Sequence, residues 1–369
     1  MAPRIALFHP ALSFGGVERV MLNLARGFLA RGDAVDYVVA NGEGELRQEL
    51  PEGVRFFDLH SPHVSRSLPG LVRYLRKEQP PVLLAASDHA NTIAIWARRL
   101  AGVSIRMVIS QHAVFSHAHR FAFGLRGRLA VSAARHTYPY ADGYIAVSQA
   151  VADDLARSIP LPRAAIDVIY NPVITPGLVQ QIRQPVEHPW LKPGEPPVVI
   201  SAGRLYEQKD FATLIRAFDL VRKEQPARLI ILGDGPERAN LEKLCDESEL
   251  RDLVALPGFV PDAPAWFARA AVFALSSLWE SFSIVLVEAM AAGVPVVSTD
   301  CPVGPAELLD GGRYGRLVPI RDAEQMASAI RAAMNEPRTP VPAAALDRFR
   351  LDAIVDQYLR VLKGDHSDW

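Results

Sequence analysis

Short apolar runs alternate along this chain with helix-length stretches in which apolar residues recur every three or four positions. Runs at 5–8, 34–39, 54–57, 82–86, 107–109, 144–147 and 166–170 have the aliphatic and aromatic content of buried strands. Stretches 17–30, 68–77 and 92–100 between them predict helices. The alternation resumes with strands at 198–203, 229–232, 271–275, 294–299 and 316–318, and helices at 211–223, 237–245 and 323–334, while 254–256, 258–260 and 265–270 lead into the strand at 271–275. Strands separated by helices imply parallel sheets covered on both faces, an α/β architecture.

Between the two series the chain carries Pro172, Pro176, Pro185, Pro189, Pro193, Pro196 and Pro197, a density that predicts a connector. The expected organisation is therefore a first Rossmann-like domain over 1–172, a linker over 173–197 and a second Rossmann-like domain over 198–340. A final segment, 341–369, has a helical pattern at 343–362 long enough to reach back onto the first domain.

The segment from Trp279 to Pro295 places two acids, Glu280 and Glu288, inside apolar sequence. Lying between two strands, it predicts a helix capped by Ser281 or Ser283 and closed at Gly293-Val294-Pro295. Ligands of open parallel sheets bind beyond the carboxyl ends of the strands, where helix starts present free N–H groups. The backbone of Phe282, Ser283 and Ile284 is expected at such a start, fit for phosphate, with Glu280 just before it and Glu288 about two turns along. The alternative is a buried helix whose acids make only structural hydrogen bonds.

Arg204 and Lys209 fall in the loop after the strand 198–203, where a planar guanidinium and a compact ammonium suit a diphosphate. His112 follows the strand 107–109 and so is expected at a carboxyl end, as either a functional group or a structural hydrogen-bonder. Gly15-Gly16-Val17-Glu18 opens the first helix without forming the dinucleotide fingerprint; its glycines allow close approach of backbone to a ligand.

Composition narrows the partners. The 369 residues exceed what one core usually holds, and 49% are hydrophobic. Forty basic against 41 acidic residues leave a net charge of -1, so nothing favours nucleic acid. Locally the balance breaks, because from His89 through Ala141 there is no acid. Arg120, Arg126 and Arg128 there interleave with Phe121, Phe123, Leu125 and Leu129, which suits an anionic membrane surface or acceptor, with a solvated basic face as the alternative. Cys245 and Cys301 are the two cysteines, so a disulfide framework is not expected. The opening residues lack the apolar core of a signal peptide, and no apolar run approaches the ~20 residues of a membrane span. The expected location is cytoplasmic, with the inner membrane face as a docking surface.

Taken together, these motifs resemble glycosyltransferase family 4, the retaining enzymes of GT-B type. The resemblance rests on Glu280 and Glu288 with seven residues between them, on Gly203-Arg204-Leu205 and Lys209, on Gly233-Asp234-Gly235-Pro236 and Gly258-Phe259-Val260, on Gly311 and Gly315, and on Gly15-Gly16-Val17-Glu18. It implies two Rossmann-like, doubly wound domains facing a central cleft, with the terminal helix crossing back to the first. It also implies that Arg204 and Lys209 contact the donor diphosphate, Glu288 the ribose, and Glu280 the transferred sugar together with the amides of Phe282, Ser283 and Ile284. Gly15 and Gly16 would line the donor–acceptor junction, and His112 would lie near the sugar hydroxyls.

Cys301-Pro302-Val303-Gly304-Pro305 is like the relatives that use UDP-sugars to extend polyprenyl-diphosphate-linked or surface glycans. No D-x-D-like metal site stands in a fitting place, so neither a metal nor another cofactor is expected. The rivals to this reading are a GDP-mannose mannosyltransferase, a UDP-sugar epimerase of the same architecture, and a non-catalytic nucleotide-sugar-binding subunit.

Overall fold

The computed structural model describes residues 4–13, 15–116 and 132–364. They form two compact units, residues 1–172 with 348–369, and residues 173–347. Among the described residues no helix is long and apolar enough to cross a membrane.

The first unit is built on seven parallel strands: β1 (Arg4–His9), β2 (Ala34–Val39), β3 (Arg55–Asp58), β4 (Val82–Ala86), β5 (Arg106–Gln111), β6 (Gly143–Ala146) and β7 (Ile166–Val168). Their order is β3-β2-β1-β4-β5-β6-β7. The chain winds one way from β1 to β3, then crosses to β4 and winds the other way, so the strand order reverses between β1 and β4. β4 is buried throughout, as a central strand covered on both faces must be.

The terminal helix Leu351–Lys363 belongs to this unit, where it packs on the helix Gly16–Ala30 and on β4 and β5. Arg106 Nε donates to the Val361 carbonyl at 3.0 Å, and Arg31 Nε donates to Asp356 Oδ1 at 2.8 Å. The continuous helix expected over 343–362 is broken. Ala343–Leu346 is one short turn, Asp347–Phe349 a 3-10 turn, and Arg350 is extended before the last helix begins. Phe349 causes the break: it is fully buried in the first unit with its ring 5.5 Å from that of Tyr170, so the chain must turn to reach it.

The second unit has six parallel strands: β8 (Val198–Ala202), β9 (Arg228–Leu232), β10 (Val254–Gly258), β11 (Val272–Leu275), β12 (Val296–Thr299) and β13 (Arg316–Val318). Their order, β10-β9-β8-β11-β12-β13, reverses between β8 and β11. The helices Phe211–Glu224 and Ala323–Asn335 supply Leu214, Phe218, Val221, Met326 and Ile330 to a core against β8, β9, β11 and β12. The proline-rich stretch 173–197 folds with this unit, its helix Pro176–Ile182 packing on Ala263–Arg269 and its Trp190 ring receiving the Arg228 guanidinium at 4.9 Å.

Candidate functional site

In the second unit, the loops that leave β8 and β11 flank the reversal of strand order. The β8 loop runs from Gly203 to Asp210, whose carboxylate caps the next helix by accepting from the Thr213 amide at 3.3 Å and the Thr213 hydroxyl at 2.7 Å. It is stitched to the β11 loop: Ser276 Oγ donates to the Lys209 carbonyl at 2.7 Å, Gln208 Nε2 to the Trp279 carbonyl at 2.7 Å, and the Leu278 amide to the Gln208 carbonyl at 2.8 Å. Its other side is pinned to the turn after β9, where the Leu205 amide donates to the Asp234 carbonyl at 2.9 Å. That turn must be glycine. Gly233 has φ 130°, and a Cβ there would lie 2.0 Å from the Gly203 carbonyl oxygen.

The loops bring Lys209 and Glu280 together. Lys209 Nζ donates to Glu280 Oε1 at 2.5 Å, and Ser277 Oγ donates to the same oxygen at 2.7 Å. Glu280 is 5% exposed, so its charge is tolerable only because it is paired and hydrogen-bonded. Thr299, at the end of β12, holds the Ser277 carbonyl at 2.6 Å. Arg204 is exposed and stacks on Tyr206 with its guanidinium 5.2 Å from the ring centroid; no carboxylate pairs with it among the described residues. The segment 301–305 crosses this site, and a Cβ at Gly304 would stand 3.3 Å from Glu280 Cβ. Burial, and next the nearby Glu280 charge, push the Cys301 thiol up to about 12, so it is a neutral filler rather than a nucleophile.

The helix expected from Ser281 or Ser283 begins at Ile284 and ends at Ala291, and no side chain caps its start. The amides of Ile284, Val285 and Leu286 precede its first internal bond and are free to serve a ligand. Ser283 is 2% exposed, yet its hydroxyl has no hydrogen-bond partner among the described residues. An orphaned hydroxyl at an uncapped helix start has the properties of a group awaiting an acceptor. Apolar on every side except at Glu288, the helix is nevertheless not buried all round. Leu286, Val287, Ala289 and Met290 are buried, while Ile284, Val285, Glu288, Ala291 and Ala292 are half-buried and share one face. Glu288 thus lies on the open side, the placement a carboxylate needs to meet a ligand. Phe282 is buried beside this start.

In the first unit, Gly15 is the extended residue before the helix Gly16–Ala30, and no side chain caps that helix either. The Glu18 carboxylate folds over Gly15 so closely that a Cβ there would lie 2.1 Å from Oε2. Gly16 is exposed. His9 ends β1, buried, with Nδ1 2.8 Å from the Ala11 carbonyl; burial lowers its pKa, opposed by the Glu18 charge. His112 follows β5, 9% exposed, its Nε2 3.0 Å from Ser110 Oγ. Burial, helped by His9, depresses its pKa to about 3, which makes it a neutral imidazole. Gln111 beside it donates from Nε2 to Asp88 Oδ1 at 2.6 Å and to the Ala113 carbonyl at 2.8 Å.

Arg120, Arg126 and Arg128 lie outside the described residues. Sequence reasoning missed Ser277 and Thr299, which hold Glu280 and its loop, and Ser110 with Tyr358, which stand behind His112. Ser277 and Ser110 lie two or three residues from the groups they bond, but a serine at that spacing is no signal by itself, and Thr299 and Tyr358 reach their partners from 22 and 248 residues away. His9 was findable, because it ends the first apolar run as His112 follows another. Among the described residues, no three of His, Cys, Asp and Glu gather as a metal site would require.

Comparison with known proteins agrees with this geometry. The model described as Glycosyltransferase Family 4 matches residues 14–175, and that described as Glycosyl transferases group 1 matches residues 196–336. The chain is 30% identical over 358 residues to the lipopolysaccharide core biosynthesis glycosyltransferase LpsE of Rhizobium meliloti, covering 94% of this chain and 96% of that one. It is 27% identical, over 90% of each chain, to N-acetylgalactosamine-N,N'-diacetylbacillosaminyl-diphospho-undecaprenol 4-alpha-N-acetylgalactosaminyltransferase of Campylobacter jejuni. In fold it is similar to Anabaena HepE in complex with UDP-glucose, with a TM-score of 0.79 at 22% identity, covering 98% of this chain and 99% of that one.

Proposed function

This chain belongs to glycosyltransferase family 4, and from that premise we propose that it is a retaining, metal-independent hexosyltransferase. Its donor would be a UDP-sugar carrying a hexose or N-acetylhexosamine, and its acceptor a lipid-linked or lipopolysaccharide-type glycan. The observation that carries the reading is the cluster in the second unit: the Lys209–Glu280 pair, the unpaired guanidinium of Arg204, and the buried orphan hydroxyl of Ser283 at an uncapped helix start.

Breaking a sugar–phosphate bond leaves negative charge on the departing diphosphate. Arg204, Lys209 and the positive end of the helix Ile284–Ala291 would stabilise that charge as preorganised electrostatics, the role a metal plays in other transferases. Lys209 must leave Glu280 or share its donors with the phosphate, which would turn Glu280 toward the sugar hydroxyls. Glu280 acts here as a positioning group for the sugar and not as a nucleophile; the leaving diphosphate accepts the acceptor's proton in a front-face attack. Glu288, on the open face of its helix, serves the ribose. Gly15 and Gly16 allow close approach of backbone to substrate, and neutral His112 serves a sugar hydroxyl.

The choice of UDP rests on the segment 301–305 and its contact with Glu280. The lipid-linked acceptor rests on the acceptors named for the relatives and on a peripheral site at the inner membrane face, to which Arg120, Arg126 and Arg128 are assigned. An exposed group in the first unit supports membrane contact: Trp96 and Tyr140, 44% and 51% exposed, flank Arg99, whose guanidinium lies 4.2 Å from the Tyr140 ring centroid.

The test is thermal shift and saturation binding with UDP, GDP, ADP and their sugars, on wild type and on Arg204→Ala. Selective stabilisation by uridine nucleotides, weakened at least tenfold in the variant, is the expected result. Selectivity for GDP would move the donor to GDP-mannose, and conversion of UDP-sugar to its epimer without acceptor would replace transfer by epimerisation. Full transfer after EDTA treatment is expected; loss rescued by a divalent cation would refute metal independence.

A further inference from the structure

The ring of His112 is joined to the end of the chain through two hydroxyls. Its Nε2 is 3.0 Å from Ser110 Oγ, and Ser110 Oγ is 3.3 Å from the hydroxyl of Tyr358, in the helix Leu351–Lys363. Ser110 and Tyr358 are both 0% exposed. Among the described residues, the Tyr358 hydroxyl has no partner but Ser110, and the Ser110 hydroxyl none but Tyr358 and His112.

Each hydroxyl carries one proton, and each proton needs an acceptor, because a buried unpaired donor is costly. Three arrangements are open. If His112 donates from Nε2 to Ser110, and Ser110 donates to Tyr358, the Tyr358 proton is stranded. If both neighbours donate to Ser110, the proton of Ser110 is stranded. Only the third pairs both hydroxyl protons: Tyr358 donates to Ser110, and Ser110 donates to His112 Nε2. A hydroxyl proton stranded in the interior disfavours each alternative by roughly tenfold to a hundredfold in population, whereas His112 Nδ1 is not among the buried atoms that lack a partner, so a proton there is not stranded in the same way.

We infer that Tyr358 and Ser110 are positioning residues that lock His112 in the tautomer protonated at Nδ1. The ring then presents an N–H donor, and no described residue accepts from it. Burial keeps the imidazole neutral, so it has one ring proton to place, and Ser110 decides where that proton goes. His112 is therefore a donor to a substrate oxygen and not a base toward it. The terminal helix does more than cover β4 and β5: its hydroxyl sets the hydrogen-bonding polarity of a residue at the carboxyl end of β5.

The role of His112 at a sugar rests on the function proposed above; its tautomer does not, and the two separate in the test. Long-range 1H–15N correlation spectra of the full-length protein, labelled with 15N-histidine, distinguish the protonated ring nitrogen from the bare one without substrate. The His112 ring is assigned by its loss in His112→Gln. Wild type is expected to show Nδ1 protonated and Nε2 bare. Ser110→Ala should move the ring to a mixture or to Nε2 protonated, Ser110→Thr should restore the wild-type pattern, and Tyr358→Phe, which removes one oxygen, should give a mixture. A wild-type ring protonated at Nε2, or a pattern unchanged in both Ser110→Ala and Tyr358→Phe, overturns the inference. In transfer assays, Tyr358→Phe should lower kcat about three- to tenfold with little change in acceptor KM. If His112→Gln transfers at the wild-type rate while the tautomer behaves as stated, the lock stands and the sugar role of His112 falls.

Discussion

Replacing Lys209 by Met keeps the length of the side chain and removes its charge. The Glu280 carboxylate, 6% exposed in its side chain, then loses an ammonium that is itself only 16% exposed. Breaking one side of a buried ion pair costs roughly 3–5 kcal/mol, because the remaining charge stays desolvated. Ser277 still donates to Oε1 at 2.7 Å, and Lys209 is not wholly buried, which lowers the expectation to roughly 2–3 kcal/mol. For a unit spanning residues 173–347, this is a fall of about 4–12 °C in the transition of that unit. The assay is differential scanning calorimetry without ligand, on Lys209→Met, Glu280→Gln and the double variant. The double variant should regain at least half of the loss seen in Lys209→Met, since the uncompensated charge is gone. If the two changes simply add, or if Lys209→Met melts within 1 °C of wild type, then the pair does not stabilise this loop and the reasoning is refuted.

Ser283→Ala removes a buried hydroxyl that has no partner, so the free protein should melt no lower than wild type while affinity for the nucleotide sugar falls about tenfold in a binding isotherm. Gly233→Ala should lower stability by about 2 kcal/mol or more and weaken donor binding, because the clash with Gly203 displaces the loop of Arg204. Gly32→Ala, at φ 85° with open space around it, is the control that should cost only the backbone term of about 1 kcal/mol and leave binding alone. His112 has a folded pKa of about 3 against the usual 6.5, so the unfolded chain binds the proton that the folded one refuses. Its contribution is whole above pH 6.5 and is lost by about 1.4 kcal/mol per pH unit as pH falls from 6.5 toward 3. Denaturant unfolding at stepped pH should show this slope in wild type and a shallower one in His112→Gln.

Much of the fold was legible because parallel strands covered on both faces are nearly continuous apolar runs, and β1, β4, β8 and β11 stand out as such between amphipathic helices. The breaks are where local pattern and tertiary demand disagree. The segment 343–362 has helical periodicity throughout, but burying Phe349 beside Tyr170 requires a turn. After β11 the helix starts where one of the two expected caps, Ser283, stands, but the Ser283 side chain does not cap it, and 276–283 is a loop whose backbone serves Gln208 and whose Ser277 serves Glu280. Glu288 is a milder case: its neighbours in sequence are all apolar, and only the sheet decides which side of the helix remains open.

The sequence by itself determined the alternation of strands and helices, the two units, and the residue types at strand ends, since these depend on period and composition within a few residues. Glycosyltransferase family 4 was also legible there, through Glu280, Glu288, Arg204 and Lys209 in register. The tertiary structure decided which of these groups meet. Lys209 and Glu280 are 71 residues apart in sequence, and Ser110 and Tyr358 are 248 apart. Nothing in either neighbourhood encodes such a pairing. It is set by the order of the strands, β8 beside β11 in one sheet and the terminal helix laid over β5 in the other, and that order follows from packing over the whole unit.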